Sequence, residues 1–185
     1  MLDSFAALEY VSSPAGSQKF NINPTRASID GVSAGANIEL ILAYLARDAA
    51  VLLKFVAVGT PAVDDLSKYS SAKESTYLSM AELEFEPILN WPRLKWFDVL
   101  KWLSLSSDPA IKEKQMKDVS WFADLMQALN FKGLPETVIY TIGRDLLRDE
   151  GEAYARRLVE AGNEVTMKRF EDVPHPFMHM DQALE

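Results

Sequence analysis

The chain contains no cysteine, which removes a thiol nucleophile, a CxxC redox pair, a cysteine zinc site and a disulfide framework in one step. Histidine is almost as scarce. Only His175 and His179 are present, so any imidazole chemistry runs through one of them. Basic residues are outnumbered, 19 Lys and Arg against 27 Asp and Glu for a net charge of -8. No basic stripe relieves that imbalance, so nucleic acid and anionic membrane are excluded as expected partners. The longest apolar run, residues 49–59, is interrupted at Lys54 and is far too short to span a bilayer. The first residues carry acids and no basic leader region, so the expectation is a soluble, cytoplasmic chain with no membrane span.

What is present fits a single globular domain over residues 1–185: 48% of residues are hydrophobic and 25% charged. A chain of this length buries roughly 70% of the surface its unfolded form exposes, enough for a core without staples. Apolar spacing predicts a helix over residues 3–11 and a loop over 12–17. A short strand over 27–32 leads through a tight turn at Ser33 into an amphipathic helix over 34–47, with Ile38, Ile41, Leu42 and Leu45 on one face. The near-continuous apolar run 51–58, stopped by Gly59, Thr60 and Pro61, reads as a strand buried on both faces of a parallel sheet. Strands over 137–142 and 164–170 follow, with a helix between them. Its start reads as a capping box at Asp149, Glu150, Gly151 and Glu152, and Gly162 marks its stop.

Residues 62–136 are too many for a plain connection and hold Trp91, Leu94, Trp96, Phe97, Leu100 and Trp102 in helical patterns. They read as an inserted helical cap, although such an aromatic stripe also suits ordinary core. The alternation of strands and helices implies an α/β fold with about four parallel strands, flanking helices and this cap.

The segment Gly31-Val32-Ser33-Ala34-Gly35 matches G-x-S-x-G, in which small residues allow a strained strand-to-helix turn to lift a serine hydroxyl above the sheet. The amide of Ala34 would then point from a helix N-terminus toward a developing oxyanion. The competing reading makes Ser33 an ordinary helix N-cap. A serine nucleophile needs a base, and His175, set between Pro174 and Pro176 just after the last strand, is better placed than His179, which falls on a following short helix and reads as a surface or packing residue. A metal site from His175, His179 and Asp181 is conceivable, but no strong ligand spacing supports it. The carboxylate should stand beyond another strand, where sites in such sheets assemble. Asp145 does so, and Asp149 and Glu150 read as plain helix-start charges. The order Ser33, Asp145, His175 is that of the α/β-hydrolases.

Three blocks carry a more specific resemblance: residues 32–37 (VSAGAN), 145–154 (DLLRDEGEAY) and 175–178 (HPFM). They resemble the D-S-A-G-G-N, D-P-L-R-D-E-G and H-G-F blocks of the hormone-sensitive-lipase-like serine esterases, fungal members especially, and depart from them at Val32, Ala36, Leu146 and Pro176. The resemblance runs the length of the chain. It implies that Ser33 is nucleophile, Asp145 orienting acid and His175 base, with no cofactor or metal. The implied activity is hydrolysis of a small apolar or aromatic ester, such as that of a secondary metabolite. That family also carries an upstream H-G-G-G loop that completes the oxyanion hole, whereas this chain has no two adjacent glycines. The resemblance therefore implies a hydrolase truncated on its N-terminal side, with the strand before Ser33 at an open sheet edge. The alternative it leaves is a weak or inactive remnant, a partner-binding pseudoenzyme.

Overall fold

The computed structural model describes residues 2–101 and 106–179. Its frame is a four-stranded parallel sheet in the order β1 (Ser28–Val32), β2 (Phe55–Gly59), β3 (Glu136–Arg144), β4 (Val165–Pro174). Sequential order with right-handed crossovers puts connecting helices on the same side of the sheet. Both α3 (Ala34–Asp48) and α7 (Arg148–Glu160) accordingly share one core with Val56, Val58 and Ile139. Leu40, Ile41 and Tyr44 of α3 meet Tyr154, Ala155 and Leu158 of α7 there. The two tyrosine hydroxyls in that core satisfy each other, Tyr154 donating to Tyr44 at 3.0 Å.

The other elements follow sequence logic less closely. Residues 12–17 are not a plain loop: after α1 (Leu2–Ser12), Ser13 caps a second helix, α2 (Pro14–Phe20), by accepting from the Gly16 amide, with Pro14 at the first helical position. Strand β2 starts at Phe55, four residues later than the apolar run suggested. Residues 51–54 instead carry the exit from α3, their amides bonding back to Ala46 and Ala27 from Val51 and Lys54. Burial in β2 alternates, with Phe55 exposed and Ala57 half-exposed, so the strand is not covered on both faces. Among the described residues β1 pairs only with β2 and forms one edge of the sheet.

The expected capping box at 149–152 is absent. Helix α7 begins at Arg148, so Asp149 and Glu150 lie inside its first turn, and neither is a plain helix-start charge. Asp149 accepts from the Ser79 amide at 2.8 Å and from Arg148 Nε at 2.7 Å. Burial alone would raise its pKa; the bonds from Arg148 and Ser79 outweigh burial and hold it below the usual carboxylate value. Glu150 is fully buried, and its Oε1 accepts from the Val63 amide at 2.7 Å.

Between β2 and β3 lie α4 (Leu78–Glu82), α5 (Trp91–Lys101) and α6 (Pro109–Ala123), with short 3₁₀ turns. Trp91 and Leu94 of α5 are core, packed in a second cluster with Leu66, Tyr69, Met80, Leu146 and Leu147. Trp96, Phe97 and Leu100 are exposed, and Trp102 lies outside the described residues. No helix among the described residues is long and apolar enough to cross a membrane.

Candidate active site

Three side chains meet at the carboxyl edge of the sheet, and each is the residue immediately after the last one of its strand. Ser33 follows β1, Asp145 follows β3 and His175 follows β4. Parallel strands end on the same edge, so this placement alone brings together residues far apart in sequence. The register pairs Arg144 with Pro174, which sets Asp145 beside His175.

Ser33 sits at φ 58° and ψ -119°, a conformation that non-glycine residues rarely adopt. Its amide donates to Gly59 of β2 at 2.9 Å, anchoring the turn to the sheet. Gly31 is required by close approach: a Cβ there would lie 2.6 Å from the carbonyl carbon of Gly35 and 2.9 Å from the nitrogen of Ala36. Gly35 has open space where its own Cβ would stand. The N-cap alternative for Ser33 does not hold, because its hydroxyl makes no capping bond to α3. It lies instead 3.0 Å from His175 Nε2. Ala34 opens α3, and a helix leaves its first amides without intrahelical acceptors.

His175 Nδ1 is 2.9 Å from Asp145 Oδ2. Asp145 is 1% exposed and His175 6%, so the contact is shielded from water. The second oxygen of Asp145 accepts from the Leu147 amide at 3.0 Å, which fixes the carboxylate's rotation. Chemically, a carboxylate held this way keeps the proton of a neutral imidazole on Nδ1 and leaves Nε2 as an acceptor facing a hydroxyl. The backbone of His179 ends a 3₁₀ turn, Phe177–His179, and Asp181 lies outside the described residues. No group of three metal-ligating side chains occurs among the described residues.

A cavity of about 550 Å³ opens over Ser33 and His175. Ile38, Leu66, Leu89, Leu94, Phe97 and Leu147 give it an apolar lining, and Asp64 and Asp98 also face it. Two polar groups near this cavity escaped sequence reasoning. Asp64 is buried and held by Lys68 and by the Tyr69 hydroxyl at 2.9 Å. Beneath it, burial pushes the Glu150 pKa up to about 8, despite the Val63 amide, with the neighbouring Asp64 charge adding to the rise. The only signal available in sequence was a glutamate one residue into an otherwise ordinary helix start.

A family model described as the α/β-hydrolase fold matches residues 1–179. The chain belongs to the hormone-sensitive-lipase-like α/β-hydrolases. An AB hydrolase superfamily protein of Schizosaccharomyces pombe is 30% identical over 188 residues, covering 99% of this chain and 50% of the relative. The carboxylesterase NlhH of Mycobacterium tuberculosis is 32% identical over 181 residues, 96% of this chain and 50% of that protein. Among solved α/β-hydrolases, the crystal structure of vibralactone cyclase superposes with a TM-score of 0.79 at 29% identity, covering 99% of this chain and 51% of that one. The chain thus spans about half the length of the α/β-hydrolases it matches.

Proposed function

We propose that this hydrolase is a serine carboxylic-ester hydrolase working through an acyl-enzyme. The observation that carries the reading is the continuous contact from Asp145 through His175 to Ser33, at 2.9 and 3.0 Å. His175 Nε2 takes the hydroxyl proton as Ser33 Oγ bonds to the ester carbonyl carbon. The Ala34 amide donates to the oxyanion, and Asp145 holds the imidazole tautomer and offsets the imidazolium charge. Collapse breaks the ester C–O bond, and the departing alcohol leaves with the proton from His175. Water then repeats the sequence on the acyl-serine, releasing the acid and returning the proton to Ser33. Every group in this scheme belongs to the chain, so no cofactor is required.

Residues 62–136 act in this reading as a helical cap, because Leu66, Leu89, Leu94 and Phe97 from that stretch line the cavity. An apolar cavity of this size suits a small apolar or aromatic ester, and the relative named a carboxylesterase supports ester hydrolysis. A second reading is a weakly active or inactive partner-binding form: within these 185 residues the Ala34 amide is offered as an oxyanion donor and no Gly-Gly pair occurs.

Labelling with a fluorophosphonate separates the two. An activated serine gives a single adduct, on Ser33, that disappears in Ser33→Ala; adducts that survive this change remove the nucleophile assignment. Turnover of short p-nitrophenyl esters is expected to be poor, and to rise ~10²-fold or more when a family-like upstream segment with its glycine loop is supplied. Robust turnover by the 185 residues alone would mean that another donor completes the hole. Loss of turnover on adding a chelator would move the chemistry to a metal.

A further inference from the structure

Four charged side chains line the cavity over Ser33: Asp64, Asp98, Arg93 and Lys101. The two carboxylates are withdrawn from the space and already matched by cations. Asp64 is 2% exposed and Asp98 3%. Asp64 accepts from Lys68 and from the Tyr69 hydroxyl, and Asp98 stands 3.5 Å from Lys101 and 3.7 Å from Lys95. Arg93 differs on both counts. It is exposed, and among the described residues no carboxylate forms an ion pair with it. Its guanidinium donates through Nη1 to the Ile88 carbonyl, which leaves most of its N–H groups for another acceptor.

Helix α5 presents Arg93, Phe97 and Lys101 to the cavity as a stripe at helical spacing. Arg93 lies in the first turn, which carries no acid. A cation there adds to the positive end of the helix dipole instead of opposing it, so both favour an anion. The amides of that turn are occupied: those of Arg93 and Leu94 donate to the side chain and the carbonyl of Asn90, each at 3.0 Å. Any bond to the anion therefore falls to the Arg93 side chain.

We propose that Arg93 makes this cavity selective for esters that carry a second, free carboxylate, the half-esters of dicarboxylic acids with an apolar linker. The ester carbonyl lies at Ser33, the linker runs along Leu89, Leu94 and Phe97, and the carboxylate pairs with Arg93, whose planar fork matches its two oxygens. Lys101 does not compete for it, because Asp98 offsets that charge. Apolar walls alone would disfavour a charged ligand, so a preference for one reports the cation. The proposal rests on the serine-esterase reading for the position of the ester group.

The test compares ethyl hydrogen succinate, glutarate, adipate and suberate, each with the ester in which the free carboxyl is a carboxamide of the same size. Binding to the Ser33→Ala chain near neutral pH is followed by ligand-observed NMR, which needs no turnover. At the linker length that spans Ser33 to Arg93, the half-ester should bind about tenfold tighter than its amide, and the ratio should shrink as salt is raised. Arg93→Met keeps the aliphatic stem and should bring the ratio to about one while leaving the amide's affinity within a few fold. Arg93→Lys keeps the charge without the fork and should retain part of the preference. General damage to the fold lowers both members of a pair and leaves the ratio alone. An undiminished ratio in Arg93→Met overturns the proposal, or in Arg93→Gln should the methionine variant not fold. The lack of a carboxylate preference at every linker length with Arg93 intact overturns it equally. A fluorophosphonate run in parallel on the unmodified chain keeps the two readings apart: failure to label Ser33 sinks the esterase mechanism, whereas the binding ratio judges Arg93 by itself.

Discussion

Replacing Glu150 with glutamine should change how stability depends on pH more than it changes stability itself. Glu150 is fully buried in the first turn of α7, its Oε1 accepting from the Val63 amide and its Oε2 without a partner. Burial, with a further push from Asp64, raises its folded pKa from 4.5 to about 8. The sign follows from proton counting. Between those two values the folded state holds a proton that the unfolded state has lost, so stability falls as pH rises through the window. From about pH 5 to about pH 7.5 the loss integrates to an upper bound of about 3 kcal/mol. Glutamine does not titrate. It keeps an oxygen for the Val63 amide but places an NH₂ where Oε2 lacks a partner, a constant cost of about 1–3 kcal/mol at either pH. Urea unfolding of both chains at the two pH values measures the difference directly. Glu150→Gln should gain on the original by about 2–3 kcal/mol between the acidic and the neutral measurement. A difference that is constant, or that shrinks toward neutral pH, would show that the carboxylate is ionised in the folded state and refute the reasoning.

Asp145→Asn should preserve the fold and lower the labelling rate of Ser33 by about 10³- to 10⁴-fold, because the amide favours the wrong imidazole tautomer; a loss below tenfold would leave Asp145 without its role. Gly31→Ala forces a Cβ to within 2.6–2.9 Å of backbone atoms of Gly35 and Ala36. It should therefore destabilise the chain by about 1–3 kcal/mol and abolish labelling. Gly35→Ala meets open space and should leave the urea midpoint nearly unchanged. Equal midpoints for the two alanine variants would show that the turn does not depend on the close approach at Gly31.

Local pattern determined much of this protein. Strand β1, helix α3, strands β3 and β4 and the stop at Gly162 were legible because periodicity and punctuation are properties of neighbouring residues. Ser33, Asp145 and His175 could be picked out as candidates for a related reason: each follows within a few residues of a strand legible in sequence, and a parallel sheet brings such positions together wherever they fall in the chain; that each stands one residue past its strand came only with the longer β3 and β4. What tertiary structure decided was the fate of polar groups. Asp149 and Glu150 look like a capping pair in sequence, yet one clasps Ser79 and Arg148 and the other is sealed beneath the loop after β2. The late start of β2 was set by bonds to Ala27 and Ala46 that no apolar run reveals. Asp98 carries no motif, and its burial among Lys95 and Lys101 is decided only by how α5 packs. Periodicity reports which residues turn inward, but whether a buried polar atom finds a partner depends on segments brought from elsewhere in the chain, and that information exists only once they have packed.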